Sequence, residues 1–251
     1  MNCHQLTHIT LPEHKKKIVL AGNPNTGKSV FYNTLTGMHA DISNYPGTTV
    51  DINIAPIGED ILLDTPGVYG VSSFNDEERV ARDVIINADL VVNIVNALNL
   101  DRDLFLTQQI IDMGIPVIVA LNMMDEAEQQ GMKIDVGLLS KLLGVPVIPT
   151  VAIRQQGIQE LKDNLNLARR GHSLPGLDSR LNGISRKSKN RAAALLVLED
   201  DPEICQQHNL TPGGQRDKVY QERRNKVNKM TAAVVTYPDN NNSLQARLSK
   251  V

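Results

Sequence analysis

The 251-residue chain contains no tryptophan, and only 3% of its residues are aromatic. A surface that binds single-stranded nucleic acid by stacking its bases needs exposed rings, so that class of function is disfavoured. There are only two cysteines, Cys3 and Cys205, far apart and in no metal-ligand spacing. Such a pair makes no disulfide framework and fits a reducing compartment. No uninterrupted apolar run reaches the roughly 18 residues of a membrane-spanning helix. No secretory leader is visible either, because Lys15-Lys16-Lys17 runs into a short apolar segment and then directly into a glycine-containing loop. The chain as given is therefore expected to be soluble, whether or not it belongs to something longer. Internal repeats and low-complexity segments are also missing.

Hydrophobic residues make up 41% of the chain, enough for one large domain or one ordinary domain with a smaller companion. The net charge of -2 is uninformative, but its distribution is not. Residues 1–168 carry 11 Lys and Arg against 20 Asp and Glu, whereas residues 169–251 carry 15 against 8. That asymmetry points to two units with different surroundings.

The pattern along the chain divides in the same place. After a polar tail, residues 1–14, the run Ile18-Val19-Leu20-Ala21 reads as a buried strand and Ser29 to Thr36 as a helix closed by Gly37. Met38 to Thr48 is polar and reads as a loop. Val50, Ile52 and Ile54 alternate with polar residues, and Ile61-Leu62-Leu63 returns after a turn, so these two form a hairpin. Strands at 90–95, 116–121 and 145–148 then alternate with helices at 104–113, 136–143 and 158–167. This order predicts an α/β domain over 15–170, with a mostly parallel sheet and helices on both faces. Gly171 to Gly176 marks a boundary. Beyond it no strand pattern recurs, and helices over 188–198 and 218–235, with another over 242–251, predict a small all-helical unit over 171–251. Pro202 and Pro212 read as separators.

Gly22-Asn23-Pro24-Asn25-Thr26-Gly27-Lys28-Ser29 fits G-x-x-x-x-G-K-[ST], with a strand before it and a helix after it. The glycines let backbone N–H groups wrap a β-phosphate, and the helix N-terminus adds positive potential. Lys28 then neutralises β/γ oxygens, and the Ser29 hydroxyl ligates Mg²⁺. Asp64-Thr65-Pro66-Gly67 follows at the end of a predicted strand. Asp64 there holds Mg²⁺ through water, and the Gly67 N–H meets the γ-phosphate. Asn122-Met123-Met124-Asp125 has the form of the base-reading motif N-K-x-D with Met123 in place of Lys. A carboxylate at Asp125 accepts both N1–H and the 2-amino hydrogens of guanine, a donor pair that adenine lacks. Asn44-Tyr45-Pro46-Gly47-Thr48-Thr49 supplies a threonine for the second Mg²⁺ position on a switch segment. Thr49 is preferred over Thr48 because it directly precedes the strand. The order and spacing are those of a Ras-like P-loop NTPase. Lys28, Thr49 and Gly67 are the catalytic candidates, with Pro46, Gly47, Thr48, Thr65 and Pro66 beside them in contact with GTP or GDP.

Taken together, the phosphate loop, Asn44-Tyr45-Pro46-Gly47-Thr48-Thr49-Val50, Asp64-Thr65-Pro66-Gly67-Val68-Tyr69, Glu78-Arg79-Val80-Ala81-Arg82-Asp83 and Asn122-Met123-Met124-Asp125 resemble the cytoplasmic amino-terminal domain of the bacterial ferrous iron transport protein B family. The resemblance runs from about Lys17 to Leu167. It implies a GTPase domain, a helical domain, and then a membrane-embedded iron permease region of the same longer chain, at the cytoplasmic face of the inner membrane. The basic bias of 169–251 suits a segment beside a bilayer, as it equally suits plain solvated helix faces. The resemblance also implies Asn25 as a K⁺ ligand beside the phosphates, acting electrostatically as an arginine finger does elsewhere. It leaves open small accessory proteins of iron uptake and self-association, and implies no nucleic-acid partner.

Three positions depart from the usual patterns, the third with little expected effect. Val68 stands where Ras-like proteins carry a water-orienting glutamine, so hydrolysis must rely on backbone groups, the metals and an ordered switch, or be slow. Thr150-Val151-Ala152-Ile153 lacks the usual serine, leaving the Ala152 N–H to meet the guanine O6. Thr65 replaces a more usual leucine. Cys3, His4, His8 and His14 form a soft-ligand cluster, but a flexible tail loses entropy on ordering, and incidental clustering is the preferred reading. Two other readings stay open. One is an RNA- or ribosome-associated maturation GTPase, for which no KH-type signature is present; the other is a nucleotide-switched binding module with negligible turnover.

Overall fold

The computed structural model describes residues 15–37, 41–44, 50–71 and 74–237, with backbone only for 41–44. A seven-stranded sheet forms the centre, in the order β2-β3-β4-β1-β5-β6-β8. Its middle strands are β1 (Lys17–Gly22), β5 (Leu90–Asn96) and β6 (Val117–Asn122). Strand β4 (Asp60–Asp64) pairs parallel with β1, and β8 (Val147–Pro149) parallel with β6. Strand β3 (Asp51–Ile57) runs antiparallel to β4, as the hairpin pattern predicted. The mostly parallel α/β architecture expected from the alternation is thus the one observed.

Parallel strands buried on both faces read as unbroken apolar runs, and β1, β5 and β6 do. Their side chains nonetheless sort by parity, since neighbouring residues point to opposite faces. Ile18, Leu20, Val92, Ile94, Ile118 and Ala120 pack with helices α1 (Lys28–Thr36) and α6 (Ile158–Asp163). Val19, Ala21, Val91, Val95, Val117, Val119 and Leu121 face the opposite side. Helices α2 (Asp76–Ile86), α3 (Leu100–Asp112), α4 (Met124–Gln129) and α5 (Val136–Leu143) bury residues there. The helical region comprises α7 (Leu177–Ser188), α8 (Arg191–Leu198), α9 (Pro202–His208) and α10 (Arg216–Val234). Its buried side chains, from Leu177 to Val234, join this second core without a break.

Three sequence expectations are corrected. The segment read as a loop over 38–48 contains β2 (Asp41–Asn44), paired antiparallel with β3 from Asp41↔Ile54 to Asn44↔Asp51. An edge strand needs hydrogen bonds on one side only, and short polar edges are common, so Asp-Ile-Ser-Asn carries no apolar alternation to detect. Strand structure also recurs after residue 176: β9 (Val235–Thr236) pairs with β7 (Lys133–Ile134). Two residues are too few for a periodic signal. Helices α7 and α9 were not anticipated either. Pro202, read as a separator, is the first residue of α9, where its missing N–H costs nothing, and Asp201 caps that helix by accepting from the Ile204 N–H at 3.0 Å. The helix anticipated over 242–251 lies outside the described residues.

Candidate functional site

The parallel strands all end at one edge, and the motif residues sit there. In open α/β sheets this carboxyl edge, beside a topological switch point, is where ligands bind. The loop Gly22–Ser29 leaves β1 and enters α1 through Gly27, at φ 91. A side chain at Gly27 is excluded twice: by that left-handed backbone and because a Cβ would stand 2.6 Å from Asn122 Nδ2. Three of the loop's carbonyls are engaged by the protein. Gly22 O accepts from the Val68 N–H at 3.2 Å, Asn23 O from Thr26 Oγ1 at 3.0 Å, and Thr26 O from Asn122 Nδ2 at 2.9 Å. Because a trans peptide holds its N–H opposite its C=O, the inward carbonyls of Gly22 and Thr26 turn the N–H groups of Asn23 and Gly27 outward. Asn25 is exposed at φ 62, and Ser29 is also exposed.

The turn after β4 lies against this loop. A Cβ on Gly67 would be 3.0 Å from Pro24 Cα. Thr65 is buried and anchors the turn, its Oγ1 donating to Leu20 O at 2.8 Å; Pro66 follows it. Asp64 is 8% exposed. Its Oδ2 accepts from Asn53 Nδ2 at 3.4 Å, while its buried Oδ1 makes no hydrogen bond and stands 3.9 Å from Lys28 Nζ. Burial pushes the Asp64 carboxyl above its ordinary range, and Lys28 and then Asn53 only partly offset this. A buried Asp64 oxygen without a hydrogen bond, with Ser29 exposed at the start of α1, fits a divalent cation held by these two residues, at Asp64 through water.

On the other flank, Asn122 at the end of β6 ties three segments together. Besides reaching Thr26 O, its Oδ1 accepts from the Ala152 N–H at 3.0 Å and from Thr150 Oγ1 at 3.4 Å. The Ala152 amide, anticipated as a donor to a base carbonyl, is therefore engaged by Asn122, and a base would share or take over that bond. Met123 adopts φ 63 and starts α4, so Asp125 falls in its first turn. Val151 is buried and bridges to Gln156. Pro46, Gly47, Thr48 and Thr49, like the Cys3, His4, His8 and His14 cluster, lie outside the described residues.

Sequence reading missed what holds the loop from behind. Asp103 on α3 is 1% exposed and accepts from Asn23 Nδ2 at 2.8 Å, from the Asn96 N–H at 3.0 Å and from Arg102 Nε at 2.9 Å. Burial raises its pKa, against the lowering effect of the Asn96 and Arg102 contacts. It also missed the seam with the helical region. Arg82, on the helix that follows the Asp64–Gly67 turn, pairs with Asp83, Asp201 and Glu203, and Arg79 with Glu203. The pairing of an arginine at 82 with a carboxylate at 201 leaves no local pattern, so only the folded chain reveals it.

A family model described as Ferrous iron transport protein B matches residues 16–165. The Fe(2+) transporter FeoB of Salmonella typhimurium is 42% identical over 158 residues, covering 59% of this chain and 20% of that protein. An Fe(2+) transport protein A/Fe(2+) transporter FeoB fusion protein of Porphyromonas gingivalis is 40% identical over 159 residues, covering 61% and 19%. The chain thus spans about a fifth of the length of these relatives. The cytosolic domain of the T. maritima FeoB iron transporter, in GDP form I, superposes with a TM-score of 0.76 at 29% identity, covering 90% of this chain and 100% of that one. The cytosolic domain of L. pneumophila FeoB gives 0.75 at 30%, covering 88% and 100%. The shared fold is that of a P-loop NTPase with a helical region following it. With more than half of its residues inside the family model, the chain belongs to the ferrous iron transport protein B family.

Proposed function

We propose that this chain is a guanine-nucleotide switch that binds GTP with Mg²⁺, hydrolyses it slowly, and thereby regulates or energises ferrous iron passage through a membrane-embedded part of a longer protein, at the cytoplasmic face of the bacterial inner membrane. Residues 15–170 would carry the nucleotide and 171–251 the helical relay towards that part. The observation that carries this reading is the convergence of Lys28, Asp64 and Gly67 on a loop whose Gly22, Asn23 and Thr26 carbonyls are engaged by the protein. The GDP form of the T. maritima relative supports it as well.

Each residue then has a task. Outward N–H groups of the loop hold the β-phosphate, and Lys28 spans β and γ oxygens. Ser29, Asp64 and Thr49 would ligate Mg²⁺, which when bound neutralises charge on those oxygens. The Gly67 N–H faces the γ-phosphate. Asp125 accepts the N1–H and 2-amino hydrogens of guanine, Asn122 braces the site, and Met123 covers the base. Asn25 offers its side-chain oxygen to K⁺ at the phosphates. Val68 is buried and carries no hydrogen-bonding side chain, so it cannot orient water, which is why turnover is slow.

Titration with fluorescent GDP and ADP, and phosphate release from GTP in K⁺ or Na⁺ with and without Mg²⁺, test this reading. Tight Mg²⁺-dependent binding of the guanine nucleotide alone is expected, with hydrolysis several-fold faster in K⁺, an advantage that Asn25→Ala removes. Equal binding of ADP, or no binding at all, would overturn it.

A further inference from the structure

We propose that Arg154 is a positioning residue for guanine recognition, holding the Asp125 carboxylate in the orientation that accepts N1–H and the 2-amino group together. This rests on the reading of Asp125 as the base-contacting carboxylate. Arg154 belongs to a tight turn after β8. Val151 and Gln156 exchange two backbone hydrogen bonds, at 3.1 and 3.2 Å. Inside that bridge, the Arg154 N–H donates to Val151 O at 3.0 Å and the Gln155 N–H to Ala152 O at 3.0 Å. Gln155 takes the left-handed conformation, φ 57, that reverses the chain. Folded back in this way, the turn carries the Arg154 guanidinium to 3.3 Å from Asp125 Oδ2.

The pairing has a chemical consequence. An aspartate in the first turn of a helix rotates about two side-chain bonds, and a base needs both carboxylate oxygens in its own plane. An ionised carboxylate offers about four lone-pair sites. Held 3.3 Å from Oδ2 as an ion pair, the guanidinium leaves a site on each oxygen for guanine while restricting the rotation of the carboxylate, so less entropy is lost on binding. Met123 carries no charge, and the cation beside Asp125 comes from the neighbouring loop. The Asp125 side chain is 14% exposed and that of Arg154 55% exposed, so the pair is partly screened and its effect is moderate.

Hypoxanthine, the base of IDP, differs from guanine only by lacking the 2-amino group, so comparing GDP with IDP isolates the second hydrogen bond to Asp125. In wild type, Arg154→Gln and Arg154→Lys, the two affinities are measured by competition against fluorescent GDP, with melting temperatures as a check on folding. Arg154→Gln is expected to weaken GDP about two- to fivefold, the range of exposed ion pairs, and IDP by less, so the GDP-to-IDP preference contracts. Arg154→Lys recovers part of it. A merely structural role would weaken both nucleotides equally. That result, an unchanged preference, or a widened one from Arg154 competing with the base would overturn the inference. A wild-type protein with no preference for GDP over IDP would instead sink the reading of Asp125 itself, and the inference with it.

Discussion

Helix α3 carries a buried carboxylate near each end, and the two are held in different ways. Asp103 and Asp112 lie about half a revolution apart around the helix, so they face different neighbours. Asp103 looks to the phosphate loop, with the amides of Asn23 and Asn96 and the half-exposed Arg102 as partners. Asp112 looks to the helical region. Its Oδ2 meets Arg223 Nε at 3.0 Å, with both side chains essentially inaccessible, and its Oδ1 accepts from Gln108 and from the Leu174 N–H. Arg223 also reaches Glu199, and those two carboxylates raise its pKa against the desolvation that lowers it. At the phosphate loop, then, geometry is kept by mostly neutral donors, which leaves the positive potential of the loop for a ligand. The seam is closed by full charges out of water, which resist separation because each would be left uncompensated.

The largest effect should come from breaking the seam. Arg223→Met strands Asp112 in the interior and is expected to cost about 3–5 kcal/mol in a urea unfolding curve; adding Asp112→Asn should recover part of that loss. A cost well under 1 kcal/mol would show that the ion pair is not what closes the seam. Next comes Asp103→Ala. It removes the buried charge together with its bonds, so after relaxation a net cost of roughly 1.5–3 kcal/mol is expected, and nucleotide binding should weaken as well as stability. If stability falls while nucleotide affinity holds, Asp103 is a core group with no bearing on the loop.

The smallest effect on stability, and the opposite sign, is expected for Asp64→Asn. The folded-state pKa of Asp64 lies above its ordinary value near 3.8. The folded state therefore holds the proton more tightly, and this group's contribution to stability declines as pH rises from that value through the folded pKa. At neutral pH, the metal-free variant should be as stable as wild type or slightly more so, while losing any rise in melting temperature on adding Mg²⁺ with GDP. Clear destabilisation of the metal-free variant would mean that the Lys28 contact outweighs desolvation.

The phosphate loop and its neighbours were legible because their chemistry is local. A glycine at the entry to α1, an asparagine at the end of β6 and an aspartate at the end of β4 must occupy set offsets from strands whose apolar runs are visible in one dimension. The rest was hidden for identifiable reasons. Strand β2 is polar and lies at an edge. Helix α7 shows only a thin apolar stripe, with Leu177 and Leu181 buried. Helix α9 is short and opens with the proline that was read as a break. Asp103 carries no motif, and its partner Asn23 lies far from it along the chain.

By itself, the sequence determined the main alternation of strands and helices and the motif residues at the strand ends, because apolar periodicity and loop motifs are read over a few neighbouring positions. Tertiary structure alone decided how those residues are held. Asp103 behind Asn23, Arg154 over Asp125, and the arginines 82 and 223 in the seam are contacts between distant segments. Their energies depend on removal from water, which no stretch of sequence specifies until the chain has closed around it.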